Sequence, residues 1–343
     1  MESEWIKWKD YRVEIVGHTA SNVRGIDPKN PELKMANLIS VSALKKYCDR
    51  EKIVESVFHW LKENGEDLEI ESALRKMGTN IGLVVKRLLN WKYWKKTERI
   101  YLGGGVSEGK IGDILLEEAK DFIFAETSLN VTLQKIHYSP AVAGLIGATY
   151  FIPKKDGRKA VTTVDLGGGN LRTGLVLPPS EDENAVVVHS NFLNWQKLGL
   201  DRDSLAELIS SELIDCLNVS RETKTEVSEH IGIGFPALVD EKGYVIGKDR
   251  NLPGNWTDSQ FHLPGIINSK IKEKTDFGDF KFIVRNDAVC QGLSEIPFVH
   301  DVREWGILTI GTGLGNARFR NIPYSARSQW WKKTSQLAFD GVF

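Results

Sequence analysis

Residues 164–174 read Val-Asp-Leu-Gly-Gly-Gly-Asn-Leu-Arg-Thr-Gly, and residues 310–316 read Ile-Gly-Thr-Gly-Leu-Gly-Asn. Each stretch follows an apolar run and continues as an alternating pattern, which predicts a strand, a tight turn and a second strand. Turns of this kind expose backbone N–H groups that can bind a polyphosphate. The sequence therefore predicts two phosphate-binding turns in one chain.

Strands and helices alternate around these turns, and this alternation predicts an α/β fold. The pattern predicts strands at 99–102, 160–166, 171–177, 185–189, 231–236, 280–284, 307–310 and 317–320. It predicts helices at 71–89, 111–124, 140–151, 203–218, 221–230 and 260–274, a helix that begins near 288, and two helices within 32–61. Residues 154–159, Lys-Lys-Asp-Gly-Arg-Lys, are typical of a charged linker.

The composition is that of an ordinary globular protein, with 41% hydrophobic and 27% charged residues. The formal net charge of −1 offers no argument for a nucleic-acid or membrane-surface partner. Cys48, Cys216 and Cys290 are far apart, a spacing that fits a reducing cytoplasm and argues against a cysteine zinc site. No apolar stretch approaches the roughly 20 residues of a membrane span. We therefore expect a cytoplasmic protein.

Three further stretches carry glycines or neighbouring polar residues. Residues 102–106 read Leu-Gly-Gly-Gly-Val, and residues 286–288 read Asn-Asp-Ala. Residues 234–240, Gly-Phe-Pro-Ala-Leu-Val-Asp, are followed by Asn-Leu-Pro-Gly-Asn-Trp at 251–256. With the two glycine-rich turns, these stretches resemble the ROK family of sugar kinases and regulators. They are similar, respectively, to its adenosine motif, its catalytic turn and its sugar-site stretch.

The two turns resemble the first and second phosphate motifs of that family, and residues 143–148 resemble the small-residue helix that closes such chains. The resemblance implies two actin-like (ribonuclease H-like) α/β lobes around a central cleft. It implies an ATP-dependent kinase that uses Mg²⁺ to phosphorylate a hydroxyl of a hexose, an amino sugar or a cyclitol. The expected partner is that small molecule, with no nucleic acid and no membrane, and a homodimer stays open. The alternatives are a sugar-sensing regulator and a non-catalytic sugar-binding protein.

The motifs stand in an unexpected order, because the adenosine motif precedes the others and in the family follows the second phosphate motif. We therefore expect a circularly permuted chain, with new ends that open a loop after Asn321. Residues 1–150 would be the first part of the second lobe, 151–159 the linker, 160–298 the first lobe, and 299–343 the rest of the second lobe. The alternative is an unrelated helical domain fused to a truncated kinase.

Phosphoryl transfer needs a positioned hydroxyl, a base for its proton and neutralisation of the triphosphate charge. Asp287 follows a predicted strand and begins a predicted helix, and the resemblance implies that it is the base. The alternative is that Asp287 only caps the helix. Asp165 is the predicted Mg²⁺ ligand, directly or through water. Arg172 could contact a phosphate, or it could lie on a solvated face or form an ion pair, and these interpretations stay open.

The resemblance also implies the remaining binding residues. The nucleotide-binding residues would be Asp165, Gly167, Gly168, Gly169, Asn170, Gly311, Thr312, Gly313, Gly103, Gly104 and Gly105. The sugar-binding residues would be Asn251, Asn286, Asp287, His18, Glu32 and Glu14. Gly169 stands where the family usually has threonine, and the spacing from Glu14 to His18 is one residue longer than in the family.

Two other glycine motifs are weaker. Residues 104–111 approach a P-loop but have Ile111 where a P-loop has serine or threonine, and residues 311–316 break the dinucleotide fingerprint at Asn316. Many family members bind zinc through a cysteine cluster at the position of residues 19–31, which contain no cysteine. We therefore expect no structural zinc.

Overall fold

The computed structural model describes residues 5–17, 33–48, 67–126, 128–153, 158–247 and 252–324. The chain forms two compact units, Met1–Pro140 with Phe298–Phe343, and Ala141–Pro297. Each unit has one mixed sheet with helices packed on it. The mixed α/β fold predicted from the alternation of elements is therefore confirmed.

The described strands and helices follow each other closely along the chain. The strands are β1 (Trp5–Trp8), β2 (Tyr11–Gly17), β3 (Arg99–Gly103), β4 (Thr132–Lys135), β5 (Ala160–Leu166), β6 (Leu171–Leu177), β7 (Val186–Leu193), β8 (Val227–Phe235), β9 (Lys281–Asn286), β10 (Glu304–Ile310) and β11 (Leu314–Pro323). The α-helices are α1 (Val41–Cys48), α2 (Leu68–Leu89), α3 (Gly109–Glu126), α4 (Ala143–Ala148), α5 (Arg202–Glu222), α6 (Leu263–Lys274) and α7 (Asp287–Leu293). Short 3₁₀ helices lie at Met35–Asn37, Gly105–Ser107, Thr149–Phe151, Trp195–Leu198 and Ile296–Phe298.

The sheet of the first unit has the described strand order β1-β2-β11-β10-β3-β4. Strands β10, β11, β2 and β1 pair antiparallel in turn, whereas β3 and β4 extend the sheet parallel to β10. Helices α2 and α3 pack against each other and contribute to the core of this unit. Gly78 permits their close approach, since a Cβ there would lie 2.6 Å from the Cβ of Glu118.

The sheet of the second unit has the described order β7-β6-β5-β8-β9. Strands β5, β6 and β7 pair antiparallel, whereas β8 and β9 extend the sheet parallel to β5. Helices α5 and α6 pack against each other and bury their apolar residues in the core of this unit. Helix α4 packs on α7 and on β5. Because β5, β8 and β9 are parallel, their carboxyl ends lie at one edge of the sheet.

The two sheets share one pattern of strand directions. In both, one strand has two successive parallel strands on one side and antiparallel strands on the other, which are β6 and β7 in the second unit and β11, β2 and β1 in the first. In the second unit the three antiparallel strands follow one another along the chain as β5, β6 and β7. In the first unit the corresponding strands are β10, β11 and β2, so that strands from distant parts of the sequence pair with each other.

Several predicted elements agree with the structure, and one is wrong. The strands predicted at 160–166 and 171–177 coincide with β5 and β6. The helix predicted at 221–230 is wrong, because α5 continues to Glu222 and β8 begins at Val227. The chain reverses between them at Lys224, whose φ is 54°, a conformation incompatible with a continuous helix. Strands β1, β2 and β4 were not predicted.

The boundary predicted after residue 150 is also wrong. The second unit begins at Ala141, because α4 packs against α7, β5 and β8 of that unit. Its small residues permit close approach, and a Cβ at Gly147 would lie 1.5 Å from the carbonyl oxygen of Cys290. The second helix predicted within 32–61 and most of the linker lie outside the described residues.

Candidate functional site

Two aspartates lie at the same edge of the second unit's sheet. Asp165 is near the end of β5, and Asp287 follows β9 directly as the first residue of α7. Strand β8 lies between them, with Gly234 paired to Asp165 on one side and to Arg285 on the other. Because β5, β8 and β9 are parallel, both carboxylates are placed where the strands end. This edge is the usual position of ligand sites in sheets of this kind.

The carboxylate of Asp165 occupies a narrow slot between two glycines. A Cβ at Gly144 of α4 would lie 2.5 Å from its Cγ, and a Cβ at Gly234 would lie 3.4 Å from its Oδ1. Arg172, the cross-strand partner of Asp165 on β6, donates a hydrogen bond from Nη1 to Oδ2 at 3.1 Å. Burial raises the pKa of Asp165, and the positive charge of Arg172 opposes that rise. The structure therefore shows Arg172 in an ion pair with Asp165.

Asp287 titrates close to neutral pH. Burial of its carboxyl group, with a further contribution from the negative charge of Asp165, raises its pKa to about 7. A hydrogen bond from the backbone N–H of Ala288 to Oδ1 at 2.8 Å partly opposes this rise. A carboxylate with such a pKa can take a proton from a hydroxyl group near pH 7. The two aspartates are thus close enough to influence each other's charge.

Asn286 is the capping residue of α7. Its Oδ1 accepts a hydrogen bond from the N–H of Ala288 at 3.1 Å, and its backbone is extended. Asp287 is therefore the first residue of the helix rather than its capping residue, although its Oδ1 accepts from the same N–H. The side-chain nitrogen of Asn286 keeps its donor capacity for a substrate hydroxyl.

Three carbonyl groups of the first glycine-rich turn accept hydrogen bonds. The N–H of Gly167 donates to the carbonyl of Asn170 at 2.8 Å and closes the turn. The indole Nε1 of Trp195 donates to the carbonyl of Gly167 at 3.1 Å, and the N–H of Gln196 donates to that of Gly169 at 3.3 Å. Within the described part of the chain, the buried Oδ1 of Asn170 has no hydrogen-bond partner. These contacts engage the carbonyl groups of Gly167, Gly169 and Asn170.

The other two glycine stretches lie side by side in the first unit. Strands β3 and β10 are parallel neighbours with Gly103 opposite Thr309. Gly104 has a φ of 81°, and a Cβ there would lie 2.2 Å from the carbonyl oxygen of Ile310, so only glycine fits. A Cβ at Gly105 or Gly311 would meet nothing within 4 Å. The stretches that resemble the adenosine motif and the second phosphate motif thus end at one edge of this sheet.

The second turn is also closed by its own backbone. The N–H of Gly311 donates to the carbonyl of Gly313 at 2.9 Å, and the carbonyl of Gly311 accepts from the N–H of Val41 at 2.9 Å. Val41 is the first residue of α1, so the start of this helix holds the turn. Thr312 is the residue between these two hydrogen-bonded glycines in the sequence.

Of the four sugar-contact candidates other than Asn286 and Asp287, the structure describes one. Glu14 lies on β2, where its Oε2 accepts from Nη1 of Arg320 at 3.0 Å. Nε of Arg320 also donates to Oε1 of Glu304 at 2.7 Å, so the charge of Glu14 belongs to an ion-pair network across three strands. His18 and Glu32 lie outside the described residues, as does Asn251.

The carboxylates at the edge of the second sheet suit a hard cation. Mg²⁺ commonly takes one or two protein carboxylates together with phosphate oxygens and water, and Asp165 with Asp287 supplies such oxygens. In the described ranges, no group of three or more His, Cys, Asp or Glu residues could hold a metal ion. A magnesium site completed by phosphates does not require such a group. The stretch 19–31, where no zinc was expected, lies outside the described residues.

No protein-family model matches the chain, and no curated protein is similar to it in sequence. The ROK resemblance therefore stands on the motifs quoted above. In the portions of the chain that are described, no helix is both long and apolar enough to cross a membrane.

Sequence reasoning missed two residues of this site. Gly144 lies in the small-residue stretch that drew attention, but no local pattern indicates that it faces Asp165. Trp195 belongs to no motif, and its contact with Gly167 spans 28 positions of the chain. Only the packing of distant segments reveals either residue.

Proposed function

We propose that this protein is an ATP-dependent kinase that phosphorylates a hydroxyl group of a hexose, an amino sugar or a cyclitol. The observation that carries the proposal is the pair of aspartates at one sheet edge, where Asp287 has a pKa of about 7 beside Asp165. A general base is most effective when its pKa lies near the working pH. The glycine-rich turn that follows Asp165 supplies the backbone donors that a phosphate group needs.

Each residue has a defined part in this proposal. Asp287 accepts the proton of the substrate hydroxyl, and the side-chain nitrogen of Asn286 orients that hydroxyl. Asp165 would hold Mg²⁺, which neutralises charge on the triphosphate. The N–H groups of Gly168, Gly169 and Asn170 bind phosphate oxygens. In the first unit, the adjacent stretches 103–105 and 311–313 are the proposed contacts for adenosine and for phosphate groups.

The architecture supports an actin-like fold with a circularly permuted chain. Both sheets have the same pattern of strand directions, as two related lobes would. In the first unit β11 pairs antiparallel with β2, and Pro323 lies opposite Tyr11. In the second unit the corresponding strands β6 and β7 follow one another in the chain. A permutation between β11 and β2 accounts for the motif order and for this pairing together.

A non-catalytic sugar-binding protein is the second candidate. Two observations favour it: Gly169 replaces the usual threonine hydroxyl, and the carboxylate of Glu14 is engaged by Arg320. A protein of this kind would bind a sugar without releasing ADP. Both functions would use the same sheet edge, so only an activity measurement separates them.

The test is a coupled assay of ADP release over a panel of hexoses, amino sugars and cyclitols. We expect sugar-dependent ADP release by the native chain and a loss of about 10²- to 10⁴-fold with Asp287→Asn. Asp203→Asn is the matched control, because Asp203 also lies in the first turn of a helix of the second unit but is 73% exposed. Sugar binding without sugar-dependent ADP release would favour the non-catalytic candidate. Near-normal turnover by Asp287→Asn would reject the assignment of the base.

A further inference from the structure

Trp195 lies in a part of the chain to which no motif assigns a function. It begins a 3₁₀ helix just after β7, and its side chain is only 4% exposed. Its indole Nε1 donates to the carbonyl of Gly167, the first glycine of the turn that follows β5. We infer that Trp195 is a positioning residue for the first phosphate-binding turn. The identity of the ligand, a nucleotide polyphosphate, rests on the proposed function.

Because the peptide bond is planar, the hydrogen bond to the carbonyl of Gly167 also determines the direction of a neighbouring N–H donor. The carbonyl of Gly167 and the N–H of Gly168 belong to one rigid peptide unit and point in opposite directions. A hydrogen bond that holds the carbonyl therefore also sets the direction of the N–H. Gln196 does the same for the next unit but one, because its N–H holds the carbonyl of Gly169 and thereby orients the N–H of Asn170. Two consecutive residues thus fix two peptide units of one turn.

Glycine makes this external support necessary. Without a Cβ, a glycine residue adopts φ angles of both signs with similar ease, so the peptide units of a glycine triplet rotate readily. A rotated unit would direct its carbonyl oxygen, rather than its N–H, at an approaching phosphate. Because residues 167–169 are all glycine, the single backbone hydrogen bond from Gly167 to Asn170 does not by itself fix the peptide units between them. The indole of Trp195 supplies the missing constraint.

Trp195 itself is firmly held. Its ring belongs to the same buried cluster as Leu166 and Leu171, the two residues that flank the turn. Asn194 caps the 3₁₀ helix by accepting from the N–H of Lys197 at 3.0 Å. Gly199, with a φ of 63°, ends it. The donor is therefore attached to the core beneath the turn that it supports.

The experiment replaces the donor and keeps the ring. Trp195→Phe removes the indole N–H, and substitution by benzothienylalanine, which has sulfur in place of that N–H, keeps the whole bicyclic ring. Trp305→Phe is the matched control, since Trp305 is also fully buried and donates from Nε1, at 3.1 Å to Oδ1 of Asn321 in the other unit. Amide hydrogen exchange of residues 164–172 is measured without nucleotide. The dissociation constant of MgATP and the KM of the sugar are then measured.

We expect faster amide exchange at the turn in both Trp195 variants and unchanged exchange there in Trp305→Phe. We also expect an approximately tenfold weaker affinity for MgATP with an unchanged KM for the sugar, the effect of one hydrogen bond that orients a donor. Unchanged exchange at residues 164–172 in the benzothienylalanine variant would overturn the inference. Equal increases in the Trp305 control would overturn it as well. Faster exchange at the turn in the Trp195 variants, together with no binding of MgATP by the native chain, would retain the positioning role and reject the proposed kinase.

Discussion

At the scale of single residues, the candidate site brings together two acidic side chains and one basic side chain. Asp165 and Asp287 are negative groups whose pKa values are both raised by burial, and Arg172 is the cation that faces them. Nη1 of Arg172 holds Asp165, while its guanidinium carbon lies 5.3 Å from the centre of the Phe192 ring. Such an ion pair is expensive to break from one side, because the remaining charge stays buried. Arg172 thus stabilises Asp165 before any ligand binds.

The raised pKa of Asp287 predicts a stability that depends on pH. An aspartate in the unfolded chain loses its proton near pH 4, whereas the folded protein retains the proton on Asp287 up to about pH 7. Between these values the native state binds more protons, so the free energy of unfolding falls as pH rises. Asp287→Asn removes this contribution. We expect the native chain to lose stability relative to that variant between about pH 4 and pH 7.

Urea unfolding of both proteins in metal-free buffer measures this difference. Titrating groups remote from Asp287 contribute equally to the two proteins and cancel in the comparison. The difference in unfolding free energy should level off above pH 7, where Asp287 is charged in both states. A difference that is constant from pH 4 to pH 8 would show that Asp287 has an ordinary pKa.

At the scale of elements, helix α4 closes the back of the site through two glycines. Gly144 faces the carboxylate of Asp165, and Gly147 faces the backbone of α7. The helix is only six residues long, so its position depends on packing rather than on its own stability. Contact between α4, β5 and α7 therefore determines where Asp165 and Asp287 lie relative to each other.

Gly144→Ala should displace Asp165, because the new methyl group would lie 2.5 Å from its Cγ. We expect a loss of about 1–3 kcal/mol of unfolding free energy, the usual cost of overpacking, together with a loss of ADP release. Gly278→Ala in the same unit is the control, since its methyl group would meet nothing within 4 Å. In an Asp165→Ala background the same substitution should cost much less, since the clashing carboxylate is gone. Equal costs in both backgrounds, measured by urea unfolding, would contradict the predicted contact.

At the scale of the whole molecule, the two units repeat one sheet pattern with different chain connections. In the first unit the β11–β2 pairing joins residues as far apart as Arg320 and Glu14, which are 306 positions apart. In the second unit the equivalent pair is a hairpin of adjacent strands. The fold of a sheet depends on strand pairing and burial more than on the order in which the strands are connected. Either order is thus compatible with this architecture.

A rearranged chain tests the permutation. It would begin at Arg158, run to Tyr324, continue through a short Gly/Ser linker to Trp5, and end at Pro153. The N–H of Tyr324 donates to the carbonyl of Asp10 at 2.9 Å, and Trp5 begins the neighbouring strand at the register of Glu14, so the linker must run back along about four strand residues, roughly 13 Å, and across two strands. We expect a cooperative thermal transition and a circular dichroism spectrum like those of the native order. A Gly/Ser insertion of equal length after Gly278 is the control for added chain, and failure of the rearranged chain alone would contradict the permutation.

The local features of the fold and of the candidate site could be predicted from the sequence. The glycine turns and the flanking strands β5 and β6 were predicted from alternation and glycine content, because both signals arise within about ten residues. The start of β8 was not, because the residues before it also suit a helix and only the reversal at Lys224 separates them. The aspartates were chosen by their position after strands, which is also a local feature.

Only the tertiary structure placed Gly144 against Asp165, Arg172 beside that carboxylate as an ion pair, and the indole of Trp195 on the carbonyl of Gly167. The same holds for the pairing of β11 with β2. Each of these contacts joins two different elements of the chain. Each forms because those elements pack or pair with each other in the folded protein. No periodicity within one segment carries that information, since the burial that raises a pKa or directs a donor is a property of all the surrounding elements together.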